Sequence, residues 1–166
     1  MDASRFAELY EPLCRDLYRF ALYTMGNPAE AEDAVGESVL AAWEKRDQLR
    51  DESAFRAWLF QITANTCRRR LKRSARAVPT EGGALEGLAE ADTEAAARPL
   101  AAADAAAVRD LFGRLAAEDR VIVALSVFGG YRSGEIGELI DMNANTVRSR
   151  RKRALDWMAA QWKGAR

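Results

Sequence analysis

The 166-residue sequence contains no histidine, only two cysteines, and no excess of either charge, since 25 Lys and Arg residues balance 25 Asp and Glu residues. Histidine is the commonest general base and a frequent metal ligand, so its absence argues against acid–base catalysis and against a zinc site. Cys14 and Cys67 are too few and too isolated for a disulfide framework. We therefore expect a protein that is not an enzyme and that holds no metal and no cofactor.

Long hydrophobic runs are also lacking. The longest uncharged apolar stretches, such as residues 121–128, are far shorter than the roughly 20 residues of a membrane-spanning helix. Residues 1–5 lead into acidic positions without the apolar core of a signal peptide. The apolar fraction of 49% is nevertheless ordinary for a globular chain. We expect a folded cytoplasmic protein with no stable membrane insertion of its own.

The balanced net charge hides a strong segregation along the chain. Residues 77–105 carry six acidic residues and one basic residue. Basic runs without any acidic residue lie on either side of this segment, at 68–76 and at 148–153. Two basic blocks around an acidic spacer suggest two contacts with a polyanion, although each run alone is also typical of a solvated helix face.

The acidic segment reads as a linker between two domains. It opens with the breaker residues Pro79, Gly82 and Gly83 and continues as Ala-rich, acidic sequence with few large apolar residues. A structureless stretch of this length would be unusual inside one compact domain. We predict an all-α protein with two small helical domains, at residues 1–76 and 106–166, joined by a flexible acidic linker at 77–105.

Apolar spacing predicts three helices in the N-terminal domain. The first is stopped by Gly26 and Pro28, and the third begins near Ser53 and ends in the basic run. The apolar series expected to mark the three helices are Phe6, Leu9, Tyr10, Leu13, Leu17, Phe20 and Ala21; Val35, Val39, Leu40 and Trp43; and Phe55, Trp58, Leu59 and Ile62.

The C-terminal domain has the layout of a helix-turn-helix. Two helices are predicted over about 101–115 and 118–128. Ser133 is the expected N-cap of a short third helix, residues 141–143 form a tight turn, and Asn143 caps a final helix from 144 to about 162. A short helix, a three-residue turn and a longer basic helix are typical of a DNA-binding module.

The final helix has an apolar face and an opposite polar face. Val147, Ala154, Leu155 and Met158 recur at helical spacing and are predicted to pack inward. Arg side chains pair with guanine, Asn with adenine and Ser with either, while Lys and flanking Arg suit phosphates. The face predicted to read duplex DNA carries Asn145, Arg148, Ser149, Lys152 and Arg153.

The basic end of the third helix has aromatic neighbours. Aromatic stacking beside a basic track is how proteins hold single-stranded nucleic acid. By their spacing, however, both Phe55 and Trp58 are expected in the core. The polar loop at residues 47–53 is therefore the better candidate for an edge that accepts an unpaired base.

Two parts of the sequence resemble a known family in the right order. Residues 30–43 (EAEDAVGESVLAAW) and 55–67 (FRAWLFQITANTC) resemble domain two of the extracytoplasmic-function (ECF) sigma factors, which belong to the sigma-70 family of bacterial RNA polymerase. Residues 119–125 (DRVIVAL), 131–140 (YRSGEIGELI) and 145–155 (NTVRSRRKRAL) resemble their domain four. The likeness implies a promoter-specificity subunit that docks on core polymerase, reads −35 and −10 elements and helps to open DNA.

The resemblance also implies residue roles and partners. Docking on the clamp coiled coil of the largest polymerase subunit is expected of Glu32, Asp33 and Glu37. Binding of the −10 element is expected of Asn65, Arg69, Lys72 and Arg73, and −35 recognition of Thr146, Arg148, Ser149, Lys152 and Arg153. The acidic spacer is expected in a basic channel of the polymerase. An anti-sigma factor and nucleoid association in the polymerase-bound state are further expectations.

The sequence departs from the family pattern at three positions. Gly36 and Val39 replace the usual Gln and Phe of the clamp-binding stretch, and Gly137 replaces the usual Ala of the helix-turn-helix. Glycine inside a helix costs about 1 kcal/mol relative to alanine, so softer helices or an altered docking surface are expected.

Two other functions fit parts of the sequence. One is a helix-turn-helix repressor or activator whose N-terminal domain dimerises and which binds a symmetric operator alone. The other is a metal-dependent nuclease, for which the acidic candidates are Glu30, Glu32, Asp33 and Glu37. The two cysteines would serve as redox sensors only if they were accessible, and buried inert thiols are the simpler expectation.

Overall fold

The computed structural model describes residues 1–76 and 102–165, and every regular element in this part of the chain is helical. The predicted linker therefore lies outside the described residues, apart from residues 102–105, which begin a helix. The α-helices are α1 (Ala3–Tyr10), α2 (Cys14–Met25), α3 (Pro28–Glu44), α4 (Phe55–Arg76), α5 (Ala102–Arg114), α6 (Ala117–Val127), α7 (Ser133–Ile140) and α8 (Ala144–Ala165), and short 3₁₀ turns occupy Glu11–Leu13, Arg46–Gln48 and Glu52–Ala54.

The first predicted helix is in fact two helices. A 3₁₀ turn at Glu11–Leu13 separates α1 from α2. Pro12 lies inside this turn, and proline lacks the N–H that a continuous α-helix would need there. The predicted stop is confirmed, because Gly26 adopts the left-handed conformation with φ of 77°. Asn27 then caps α3, its Oδ1 accepting a hydrogen bond from the Ala29 N–H at 2.8 Å.

The N-terminal domain is built from α2, α3 and α4, and Phe6 of α1 packs against Trp43 and Phe55. The side of α3 that faces the core is made of the small residues Ala31, Ala34, Ser38 and Ala42. Small side chains allow α3 to lie close to its neighbours, and the Ser38 hydroxyl donates to the Ala34 carbonyl at 2.6 Å. Of the larger apolar residues predicted to mark this helix, Val35, Val39 and Trp43 are partly buried against the core, whereas Leu40 is 59% exposed.

Helix α6 is the centre of the C-terminal domain. Five consecutive residues, Val121, Ile122, Val123, Ala124 and Leu125, are fully buried. A helix that is buried on every face must pack against other helices on every face. Helix α6 packs against α7 and α8 on one side and against α2 and α4 of the N-terminal domain on the other.

The two domains pack directly against each other, and their buried side chains form one continuous cluster. The Tyr23 ring contacts Phe112 and Phe128, with ring centroids 5.1 Å and 4.6 Å away. Phe60 meets Tyr131 at 5.7 Å. The sequence predicted two domains joined by a linker, and the structure adds that the domains share an interface. This interface, called the seam below, includes Tyr23 and Phe60 on one side and Phe112, Phe128 and Tyr131 on the other.

Polar groups cross this seam as well. The Arg68 guanidinium forms an ion pair with Glu118 at 3.1 Å, and Arg120 Nη1 donates to the Thr24 carbonyl at 3.1 Å. Arg120 is largely buried, and this desolvation lowers the pKa of its guanidinium. Within the described chain, Thr24 Oγ1, Glu118 Oε2 and Arg120 Nε have no hydrogen-bond partner. Each buried polar atom without a partner subtracts from the stability that the aromatic contacts give this interface.

Candidate nucleic-acid interface

A tight turn sets the angle between α7 and α8. Asp141 adopts a left-handed conformation with φ of 54°, and the Met142 N–H donates to the Gly137 carbonyl at 2.8 Å. The Asn143 Oδ1 accepts from the Asn145 N–H at 2.8 Å, which confirms the predicted cap of α8. These local bonds fix α8 as the second helix of a helix-turn-helix.

The turn passes very close to Gly137. A Cβ atom at position 137 would clash with the carbonyl oxygen of Met142. The expectation that glycine merely softens the helix misses this packing role, because the close approach of the turn is visible only in three dimensions.

The N-cap of α7 differs from the prediction. Ser133 is the first helical residue and is buried. Arg132 precedes the helix instead, and its backbone N–H donates to the Glu135 carboxylate at 3.0 Å. In a capping box, the side chain of the third helical residue accepts a hydrogen bond from the backbone N–H of the N-cap residue, and Glu135 accepts this bond here.

The outer face of α8 is free of the domain core. Val147 and Ala154 are buried against α6 and α7, and Leu155 and Met158 are half-buried, as their spacing predicted. All six residues expected to contact −35 DNA are exposed on the opposite side, namely Asn145, Thr146, Arg148, Ser149, Lys152 and Arg153.

Hydrogen bonds between neighbours hold several of these exposed side chains. Arg148 Nη1 donates to Asn145 Oδ1 at 2.7 Å, and Lys152 Nζ donates to Asp156 Oδ2 at 2.7 Å. The hydrogen bond to the Asp156 carboxylate raises the pKa of the Lys152 ammonium. Because the Arg148 guanidinium is held in place before DNA arrives, less of its side-chain entropy is lost on binding. Lys152, in contrast, must leave the Asp156 carboxylate to bind a phosphate.

The basic residues of α8 fall into two groups, those exposed to solvent and those packed against the rest of the domain. Arg148, Lys152 and Arg153 point outward, whereas Arg150 lies against α6 and forms an ion pair with Asp119 at 3.4 Å. Arg151 is half-buried. Only part of the sequence run is therefore available to a nucleic acid.

The basic run of α4 is divided in the same way. The four residues expected to contact the −10 element, Asn65, Arg69, Lys72 and Arg73, are all exposed. Arg68 points to the C-terminal domain, where its Nη1 also donates to the Ile140 carbonyl at 3.2 Å. Arg70 points to α3, where its Nη1 donates to Glu30 at 3.2 Å.

The loop at residues 47–53 borders a cleft of about 430 Å³ between the two domains. Its Asp51 carboxylate accepts from the Ser53 N–H at 3.0 Å, and this bond lowers the pKa of Asp51. Phe55 is buried as predicted, but Trp58 is only half-buried and lines the cleft. The opposite wall, from the C-terminal domain, includes Tyr131, Glu135, Glu138 and Leu139.

The acidic residues of α3 divide into two groups. Glu32 and Asp33 are exposed, whereas Glu37 turns to α4 and pairs with Arg69 and Arg70. Burial alone would raise the pKa of Glu37, but the hydrogen bonds from Arg70 and Arg69 outweigh it and leave the pKa below its ordinary value. Glu37 lies one turn after Asp33 on the same helix, and its carboxylate is engaged by the two arginines of α4.

An apolar groove of about 480 Å³ between α1 and α3 was missed by sequence reasoning. The residues that line it include Phe6, Tyr10, Val39, Leu40 and Trp43. The sequence signal for this groove was the run of small residues Ala31, Ala34, Ser38 and Ala42. These residues fill the core face of α3 and leave Leu40 exposed beside the partly buried Val39 and Trp43.

Comparison with known proteins identifies the family. The Sigma-70 region 2 family matches residues 9–77, and the Sigma-70 region 4 family matches residues 105–158. The chain is 31% identical over 151 residues to the ECF RNA polymerase sigma factor SigL of Mycobacterium tuberculosis, covering 90% of this chain and 84% of SigL. The chain belongs to the ECF sigma factors. It is therefore a promoter-specificity subunit of RNA polymerase, and the resemblance seen in its sequence is confirmed.

Other sigma factors extend the comparison. SigM of M. tuberculosis is 31% identical over 153 residues, which cover 92% of this chain and 74% of SigM. The fold matches that of CnrH in complex with the cytosolic domain of CnrY, with a TM-score of 0.69, 23% identity and coverage of 98% of this chain and 90% of CnrH. It also matches Bartonella quintana RpoE in complex with the anti-sigma factor NepR, with a TM-score of 0.71, 20% identity and coverage of 96% and 99%.

Two features are absent from the described part of this sigma factor. No group of three or more Cys, Asp or Glu side chains in residues 1–76 and 102–165 is placed to hold a metal ion. In the same residues no helix combines the length and the apolar character needed to cross a membrane.

Proposed function

We propose that this sigma factor holds promoter DNA at two places. Helix α8 enters the major groove of the −35 element, where Asn145, Arg148 and Ser149 reach base edges and Lys152 and Arg153 bind phosphates; Thr146 lies at the start of the same face. The observation that carries this proposal is the exposed polar face of α8 behind a capped tight turn.

The −10 element is proposed to bind along α4. Asn65, Arg69, Lys72 and Arg73 form an exposed track for the backbone of the unpaired strand. The loop at 47–53 and the half-buried Trp58 border the cleft that would receive an unstacked base. Unstacking costs a few kcal/mol, and capture of the base offsets this cost.

Reading both elements requires the domains to separate. The wall of the cleft opposite the loop carries Glu135 and Glu138, whose negative charge repels a DNA strand. We propose that docking on polymerase, through Glu32 and Asp33 with Glu37 at the edge, holds the domains apart. The acidic linker at 77–105 would then occupy a basic channel of the polymerase.

Further parts of the proposal concern domains, location and partners. The functional domains are residues 1–76 and 106–166, and the protein acts in the cytoplasm, associated with the nucleoid when bound to polymerase. It supplies binding energy and specificity and has no catalytic activity of its own. Because CnrH and RpoE are found in complex with CnrY and NepR, we propose that an anti-sigma factor also binds this chain.

In vitro transcription with core polymerase and a library of randomised promoters tests the −35 assignment. Arg148→Ala should relax selection of one −35 base pair, with a loss of about 1–3 kcal/mol of discrimination, because a bidentate guanine contact is removed. Core binding in a pull-down should stay unchanged. Lys163→Ala, which removes a cation from the far end of α8, is the matched control and should leave selection unchanged. Loss of core binding by the Arg148 variant would instead assign the residue to folding.

A further inference from the structure

Glu37 forms ion pairs that link α3, the helix proposed to face the polymerase, to α4, the helix proposed to bind the −10 element. One carboxylate oxygen, Oε1, contacts Arg69 Nη2, and the other, Oε2, accepts from Arg70 Nε at 2.9 Å. Glu37 lies on α3, and both arginines lie on α4. A carboxylate and a DNA phosphate present similar oxygen acceptors to a guanidinium.

The two arginines are held differently. Arg70 has a second acidic partner, Glu30, and its side chain is 21% exposed, so it fastens α4 to α3. The Arg69 side chain is 52% exposed and Glu37 is 38% exposed, so solvent and a nucleic-acid strand can reach their contact. An ion pair that is exposed to this extent is weak and can be exchanged.

We propose that Glu37 acts as an internal substitute for a DNA phosphate, holding Arg69 in place and lowering the affinity of the −10 strand by competing for its guanidinium. Glu37 is thus a positioning residue whose target is Arg69, and this role is distinct from docking on polymerase. The inference rests on the proposed function, because it requires Arg69 to contact the −10 strand. It also makes Glu37 a point at which the affinity of this sigma factor for unpaired DNA is set.

The test uses the full chain and a fluorescein-labelled single-stranded 20-nucleotide DNA of mixed sequence, titrated by fluorescence anisotropy at several salt concentrations. Glu37→Gln should bind about two- to fivefold more tightly, as expected for release of an exposed ion pair. The slope of log affinity against log salt should steepen by about 0.7, because one more phosphate is neutralised. Arg69→Ala should weaken binding, and adding Glu37→Gln to it should change nothing further.

Glu30→Gln is the matched control. It removes the same charge from the same helix but contacts Arg70 and not Arg69, so its affinity and salt slope should equal those of the wild type. An equal gain in both variants would overturn the proposal in favour of a general charge effect. If Arg69→Ala weakens binding but Glu37→Gln gives no gain, the inference fails and the proposed function stands. If Arg69→Ala binds like the wild type, the −10 assignment of Arg69 itself fails.

Folding is checked by circular dichroism, and Glu37→Asp provides a second variant if Glu37→Gln unfolds. The shorter aspartate keeps the charge but cannot reach both arginines as the glutamate does. It should also tighten DNA binding, and the same affinity as the wild type in a folded Glu37→Asp protein would count against the proposal.

Discussion

At the scale of single residues, the two cysteines differ in accessibility. Cys67 is buried in the N-terminal domain, and this burial raises the pKa of its thiol to about 12. Cys14 is half-buried on α2, with its thiol 3.6 Å from the Tyr10 carbonyl oxygen. Because its pKa is so high, the Cys67 thiol stays protonated at neutral pH and does not react as a thiolate.

We expect Cys14 alone to react with iodoacetamide in the folded protein between pH 7 and pH 9, because in this range Cys67 is both covered and protonated. Mass spectrometry of labelled peptides provides the measurement. Labelling in guanidinium chloride is the control and should modify both residues. Rapid modification of Cys67 in the native protein would contradict its placement in the core.

At the scale of elements, two glycines of α7 differ in the space around them, and their substitution by alanine should have opposite effects on stability. Gly137→Ala should destabilise the C-terminal domain by about 1–3 kcal/mol, because the added methyl group clashes with the Met142 carbonyl and the turn must shift. Gly134→Ala is three residues earlier on α7, and no described part of the chain lies within 4 Å of its new Cβ atom. This control should stabilise the domain by about 0.5–1 kcal/mol.

Urea unfolding followed by circular dichroism distinguishes the two variants. Equal stability of the two would show that the turn relaxes around position 137 without cost, contrary to the contact seen here.

Helix positions were the most predictable feature of this chain. Caps and breakers act locally, so Gly26, Asn143 and the apolar stripe of α8 could be interpreted from neighbouring residues alone. Helix faces were harder to predict. The core face of α3 is made of alanines and a serine, and only the proximity of α2 and α4 explains why small residues lie inside while Leu40 lies outside.

The division of the basic runs could not be predicted from composition. Arg68, Arg69 and Arg70 lie in one run, but their partners Glu118 and Glu37 come from other helices. Such pairing depends on tertiary packing, which spacing within one helix does not report.

At the scale of the whole molecule, the seam between the domains combines aromatic contacts with polar atoms that have no partner among residues 1–76 and 102–165. Tyr23→Ala removes the ring that meets Phe112 and Phe128, so it should favour separation of the domains while each stays helical. Small-angle scattering should then give a radius of gyration clearly above the roughly 15 Å expected of a compact 166-residue chain.

Circular dichroism is the control for this experiment and should show unchanged helix content. A radius of gyration equal to that of the wild type would mean that the remaining contacts, such as Phe60 with Tyr131, suffice to hold the domains together.

The position of Trp58 has a practical consequence. Its indole lines the cleft across which Tyr131 and Glu138 belong to the other domain, so the ring should become more hydrated when the domains part. Indole emission moves to longer wavelength in water. A variant in which the other three tryptophans are replaced by phenylalanine would carry a built-in optical probe of opening, allowing its rate to be followed in stopped flow when polymerase or DNA is added, without an attached dye.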